Sequence, residues 1–264
     1  MSAPHHVLVL GGHGKIAQQL TPLLLRRSWT VTSVIRKQEQ VPTIEKLGSG
    51  LPGKLNVLVH SIEDVGSQDQ AAAMLDKVKP TLIAWSAGAG GKGGPESTYK
   101  VDRDAACHFI RAAAANESVK RFLLVSYTGS RRAGASWWPE GEWDEYNSKV
   151  NYGVLATYYQ AKIVADEVLH ETTKKSPHLV GIGLRPGTLT DDPAGNIEFG
   201  KTSHVKGNVP RETVAQVANT LLAAEGLKSG WYDLLAGDEN IDTAVSKAIK
   251  DGVDSAEGEA IYKA

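Results

Sequence analysis

The chain has 264 residues, a formal net charge of −1 and a single cysteine. That length suits one large α/β domain with a sizeable core, and so small a net charge gives no electrostatic basis for binding nucleic acid or an anionic membrane. Cys107 alone cannot form an intramolecular disulfide, no apolar run reaches membrane-spanning length, and a strand starting so near Met1 leaves no room for a signal segment, so a cytoplasmic location is expected.

Residues 6–10, His-Val-Leu-Val-Leu, read as a strand that stops at Gly11-Gly12-His13-Gly14, and a helical pattern runs from 15 to 26. The spacing Gly11-x-x-Gly14-x-x-Ala17 fits a dinucleotide site. Gly11 allows the sharp turn, Gly14 lets a pyrophosphate approach the backbone, and Ala17 keeps the helix close to the sheet. The alternative is an ordinary tight turn between strand and helix. Residues 30–35 read as a second strand and 38–47 as a weak helix or turn. The run Gly48-Ser49-Gly50-Leu51-Pro52-Gly53-Lys54 mimics a nucleotide-binding P-loop but carries Leu55 where a Ser or Thr is required, so a surface loop is expected there.

The remaining strands are expected at 55–60, 81–86, 121–126 and 178–184, with helices at 71–78, 99–115, 150–169 and 211–224. A short strand at 231–235 and a helix at 241–249 close the chain. Alternating strands and helices call for a doubly wound parallel sheet, Rossmann-like α/β, in one domain over 1–264 with a small C-terminal elaboration. Ligands then belong at the carboxyl ends of the strands, beside Gly11, Arg36, Ser61, Ala87 and Ser126.

An acid at the end of the second strand favours the unphosphorylated nicotinamide cofactor; here that place holds Arg36, followed by Lys37. A guanidinium can hold a 2′-phosphate through paired charge-assisted bonds, so NADP(H) is expected over NAD(H). The bland alternative is a solvated strand end.

Tyr158 and Lys162 lie one turn apart on a predicted helix between strands five and six. A nearby ammonium would lower the phenol pKa towards the working range of a general acid or base, and the lysine could also bond the nicotinamide ribose. The competing reading is a core tyrosine in the stripe Val154, Tyr158, Ala161, Ala165, Leu169, with Lys162 reaching for solvent.

Together the glycine motif, Arg36, Ser86-Ala87-Gly88, Val101-Asp102, Leu124-Val125-Ser126, the Tyr158/Lys162 pair and Arg185-Pro186-Gly187 resemble the short-chain dehydrogenase/reductase superfamily. The likeness is greatest to its atypical branch and, within it, to NmrA-like and flavin-reductase-like fungal members, and it covers nearly the whole chain. The resemblance implies that His13, Gly14, Lys15 and Ile16 wrap the pyrophosphate and that Arg36 takes the 2′-phosphate. It implies that Ser61 and Ile62 border adenine, that Ser86, Ala87, Gly88 and Ala89 lie along the ribose, and that Pro186, Gly187 and Leu189 lie along the nicotinamide. The superfamily's catalytic Ser or Thr falls at Tyr127 here, with Ser126 one place early and Thr128 one late, and either of these two could polarise a carbonyl if the loop shifts.

Residues 127–147 carry Arg131, Arg132, Trp137, Trp138, Trp143 and Tyr146, which read either as a lid over an apolar or aromatic small molecule or as an anchor for the loop. Substrate specificity is expected in 127–147 and 190–210, the substrate-side elaboration being drawn from 127–147 and 190–264. The histidines show no ligand spacing, and no metal is expected. Three functions remain open: an NADPH-dependent reductase of a small carbonyl, a catalytically silent NADP(H) sensor, and an epimerase or dehydratase that uses the cofactor transiently.

Overall fold

The computed structural model describes residues 5–90 and 93–263, so Gly91 and Lys92 of the glycine-rich run lie outside it. The first half alternates β1 (His6–Leu10), α1 (Lys15–Arg26), β2 (Thr30–Ile35), α2 (Val41–Lys46), β3 (Lys54–Val59), α3 (Gln68–Val78) and β4 (Leu82–Trp85). Next come α4 (Gly94–Thr98), a π-helical stretch (Tyr99–Ala105), α5 (Ala106–Ala115) and β5 (Arg121–Val125). After a short α6 (Glu142–Tyr146) a second π-helical stretch (Asn147–Val154) leads into α7 (Ala156–Lys174) and β6 (Val180–Pro186). The chain ends with β7 (Thr188–Thr190), β8 (Ile197–Gly200), β9 (Asn208–Pro210), α8 (Arg211–Ala223), β10 (Gly230–Ala236), α9 (Ile241–Lys250) and α10 (Ala260–Lys263).

Eight strands form one sheet in the order β3-β2-β1-β4-β5-β6-β10-β8. All neighbouring pairs are parallel except β10 with β8, which is antiparallel and closes that edge. The architecture is therefore the expected Rossmann-like parallel sheet flanked by helices. Strand β1 shows why its sequence is apolar on successive residues. Val7 and Val9 join the core under α1 and α8, whereas Leu8 and Leu10 join the core under α3, α5 and α7. A strand covered on both faces has no solvent side to make polar, and each fully buried Val or Leu contributes about 1.5–3 kcal/mol.

Three expectations change in the second half. The helix assigned to 150–169 begins only at Ala156, because Gly153 (φ −104°, ψ −107°) breaks the helical path before it. The stretch 190–210 is not wholly irregular: β7 and β9 pair in parallel, and β8 joins the main sheet. Single-sequence periodicity misses such three- and four-residue strands, since so few residues complete no pattern. The strand at 231–235 lengthens to Gly230–Ala236 and sits beside β6 as an interior strand. Among the described residues no helix is long and apolar enough to cross a membrane.

Candidate functional site

The strand order reverses between β1 and β4, and the carboxyl ends there open into a cleft, as expected for a parallel α/β sheet. The cleft has two connected parts that share Ser86, Ala87, Gly88 and Gly90. The first, about 520 Å³, is walled by Gly11, His13, Gly14, Lys15, Arg36, Ser61, Ile62 and Ala89. The second, about 680 Å³, is walled by Ile16, Asp102, Ser126, Tyr158 and Leu189, together with 153–157.

The glycine turn fits a dinucleotide on its own geometry. Gly11 has φ +84°, and a Cβ there would lie 2.5 Å from the Ala87 Cα. Only glycine both adopts that conformation freely and leaves the two turns in contact. Gly14 precedes α1 with no side chain capping the helix, so the first N–H groups of α1 face the cleft as a ready anion site. Gln40 Oε1 accepts from the Arg36 and Lys37 backbone N–H groups, at 3.1 Å each, and so shapes the turn after β2. Arg36 stays about half exposed on the wall, its Nη1 3.6 Å from Glu63 Oε1, while the Lys37 ammonium turns away to Glu39 at 3.3 Å. Lys15 forms a 2.6 Å ion pair with Asp191, which also holds Arg211 at 2.7 Å.

On the second wall, the Ser126 hydroxyl donates to Asp166 on α7, a carboxylate with no solvent exposure. Tyr158 lies partly buried on the wall, its ring 5.3 Å from that of Tyr127. Tyr127 itself is buried and donates its hydroxyl to Asn151 Oδ1 at 2.9 Å. The two π-helical stretches both serve this wall. One sets Asp102 against the turn after β4, where its Oδ2 accepts from the Ala89 N–H at 3.0 Å; the other brings Gly153 and Val154 to the cleft. Such wide turns recur at functional sites because they re-aim side chains without ending the helix.

The expected effect of Lys162 on Tyr158 is corrected by this arrangement. Burial pushes the Tyr158 phenol above its ordinary value, and the neighbouring carboxylates Asp102 and Asp166 push it further. Lys162 is fully buried, donates its ammonium to the Val125 carbonyl at 2.9 Å, and does not line either cavity. It is drawn inward because Asp102 and Asp166 are its charge partners. Thr128 is buried too, its hydroxyl donating to the Val205 carbonyl at 2.9 Å. Lys37, Pro186 and Gly187 also stand off the two cavity walls, whereas Leu189 reaches the second.

The tryptophans take the anchoring role. Trp137 and Trp138 both donate their indole N–H to the Thr202 carbonyl, at 3.1 and 2.8 Å, and Trp138 packs 6.0 Å from Trp143. None of 127–147 lines either part of the cleft, and neither does any of 190–264. The wall comes instead from 153–158, a segment the sequence merges into one helix. Asp166 was the functional neighbour hardest to foresee, although its position four residues after Lys162, on the same helical face, carried the signal. Among the described residues no three His, Cys, Asp or Glu side chains gather as a metal ion requires.

Comparison with known proteins agrees with this geometry. Residues 11–225 match the model of a family described as NAD(P)H-binding. A UPF0659 protein of Schizosaccharomyces pombe is 31% identical over 214 residues, covering 79% of this chain and 81% of that protein. An uncharacterized sugar epimerase of Bacillus subtilis, YhfK, is 27% identical over 242 residues, covering 91% and 99%. The solved structure of ChuY, an anaerobillin reductase from Escherichia coli, superposes with a TM-score of 0.66 at 22% identity over 89% of this chain and 98% of its own. The chain belongs to the NAD(P)H-binding family.

Proposed function

We propose that the protein is an NADPH-dependent reductase of a small carbonyl compound, working in the cytoplasm. The observation that carries this reading is the continuity of the cleft: the dinucleotide part and the Tyr158 part share the turn after β4. When bound, the reduced cofactor supplies a hydride to the carbonyl carbon. Gly11, Gly14 and the first turn of α1 would hold its pyrophosphate, and Arg36 its 2′-phosphate. Tyr158 gives the phenolic proton to the carbonyl oxygen as charge develops there, and solvent later returns a proton to the phenolate. A phenol whose pKa is raised stays protonated at neutral pH, which suits a proton donor in reduction better than a base in oxidation.

Two other readings have a specific basis. An epimerase function is supported by the Bacillus subtilis relative's name, but it needs Tyr158 as a base in its oxidative half. A sensor without turnover is supported by Lys162, whose ammonium is spent on a backbone carbonyl inside the protein. NADPH oxidation across a panel of aldehydes, ketones and quinones, with wild type and Tyr158→Phe, separates them. Turnover in wild type that collapses in the variant, with NADPH affinity retained, supports the reductase. A wild type that binds NADPH and turns over nothing on the panel sinks it.

A further inference from the structure

The second part of the cleft is chemically lopsided. Asp102, Ser126 and Tyr158 supply its reactive polar groups, while Ile16, Leu155 and Leu189 are among the side chains that make it apolar. Among the described residues of its wall, none is Lys, Arg or His, and Asp102 is the one carboxylic acid. Lys162, a buried cation and charge partner of Asp102, has its ammonium engaged by the Val125 carbonyl.

The mouth adds a second, independent observation. Val154 lines the cavity yet is 82% exposed, and Tyr152, on the other side of the Gly153 break, is 62% exposed. A large apolar side chain left bare at the rim of an apolar cavity, as Val154 is, presents surface that a bound apolar molecule can cover.

We infer that the substrate is an uncharged, largely apolar carbonyl compound whose body lies against Val154 and Leu155, and that carboxylated or phosphorylated compounds are disfavoured. The inference rests on the reductase reading for the word substrate, but the selectivity is a property of the cavity itself. An anion entering it leaves water, meets Asp102 and finds no cation on the described wall to compensate. A neutral ketone gives up only the hydration of one oxygen, which Tyr158 can replace by donating a hydrogen bond. A sugar nucleotide, whose diphosphate carries two negative charges, is disfavoured in this cavity for the same reason.

The test uses the protein loaded with NADP+, so that no reduction occurs, and measures equilibrium binding of 2-acetonaphthone and of its carboxylated analogue 6-acetyl-2-naphthoate. The neutral ketone is expected to bind at least about tenfold more tightly. Measured at a pH high enough to ionise Asp102, Asp102→Asn should narrow that ratio by strengthening the carboxylate alone. Val154→Asp should weaken the neutral ketone about fivefold or more and leave NADP+ affinity unchanged. Equal or tighter binding of the carboxylate, wild-type ketone affinity in Val154→Asp, or no ketone binding up to its solubility overturns the inference. Absence of NADPH turnover with the binding preference intact would defeat the reductase reading alone. Turnover that favours the carboxylate would defeat the selectivity alone.

Discussion

The Ser126 hydroxyl, on the wall of the cleft, gives its hydrogen to the buried Asp166 carboxylate. A hydroxyl has one proton, so the oxygen that Ser126 offers to the cavity is an acceptor. Of the two side chains, Tyr158 is thus the one able to donate to a carbonyl oxygen. Asp166 acts on the site through Ser126, by fixing which way that proton points.

Replacing each hydroxyl should therefore have unequal effects. Tyr158→Phe is expected to lower kcat by about 10²-fold or more, the usual range for loss of a positioned acid. Ser126→Ala should lower kcat far less, yet reduce stability by about 1–3 kcal/mol by leaving the Asp166 carboxylate short of a donor. Steady-state kinetics and urea unfolding on the two variants check both halves. A kcat loss for Ser126→Ala equal to that for Tyr158→Phe would give Ser126 a direct role.

In the proposed reading Arg36 favours NADPH, and its ion pair with Glu63 opposes that preference. Losing a charge-assisted hydrogen bond costs about 1.5–3 kcal/mol, so Arg36→Ala should weaken NADPH by roughly 10- to 150-fold and NADH little. Glu63→Gln frees the guanidinium from its 3.6 Å partner and should tighten NADPH relative to NADH. Fluorescence titration of both cofactors measures the ratio; a ratio unmoved by either substitution removes Arg36 from the site.

Asp102 should give stability a pH dependence of definite sign. Burial raises its pKa despite Lys162 and the Ala89 N–H, so the folded chain holds that proton more tightly than the unfolded chain. The resulting contribution is complete below the ordinary aspartate pKa and is lost as pH rises through the raised value. Wild type should accordingly lose stability relative to Asp102→Asn in urea melts as pH rises above the ordinary aspartate range. The opposite slope would mean that Lys162 outweighs burial.

Gly11→Ala should abolish cofactor binding. The new Cβ meets the Ala87 backbone at 2.5 Å and the residue must hold φ +84°. The strain is about 1–3 kcal/mol, readable as a lowered Tm, and its relief pries apart the two turns that frame the cleft. A variant that binds NADPH normally would show the turns to be more compliant than their spacing implies.

Trp138→Ala separates anchor from lid. Removing a buried tryptophan costs about 3–5 kcal/mol, and Trp138 is 7% exposed. Stability should fall by that order while NADPH affinity stays the same. Normal stability with a raised KM would restore the lid.

The sequence by itself determined the sheet and the dinucleotide end of the cleft. Both rest on local chemistry: period-two and unbroken apolar strands, helices of usual length, and glycines whose spacing dictates a turn. Gly11, Gly14, Arg36, Ser61 and Ala87 stand on the wall where strand ends predict them. Tyr158 and Ser126 also reach the cleft, because both lie where a parallel sheet gathers its loops.

Tertiary structure alone decided the electrostatics and the substrate wall. The rise of the Tyr158 pKa comes first from burial and then from Asp102, brought from 56 positions away in the chain, neither of which one helix face reveals. The tryptophans became an anchor once 202–206 folded under them, and 153–158 became the wall because Gly153 breaks a segment whose composition reads as continuous helix. Burial and charge partners are long-range properties, and a pattern of neighbours along the chain carries them only where the fold has already been fixed.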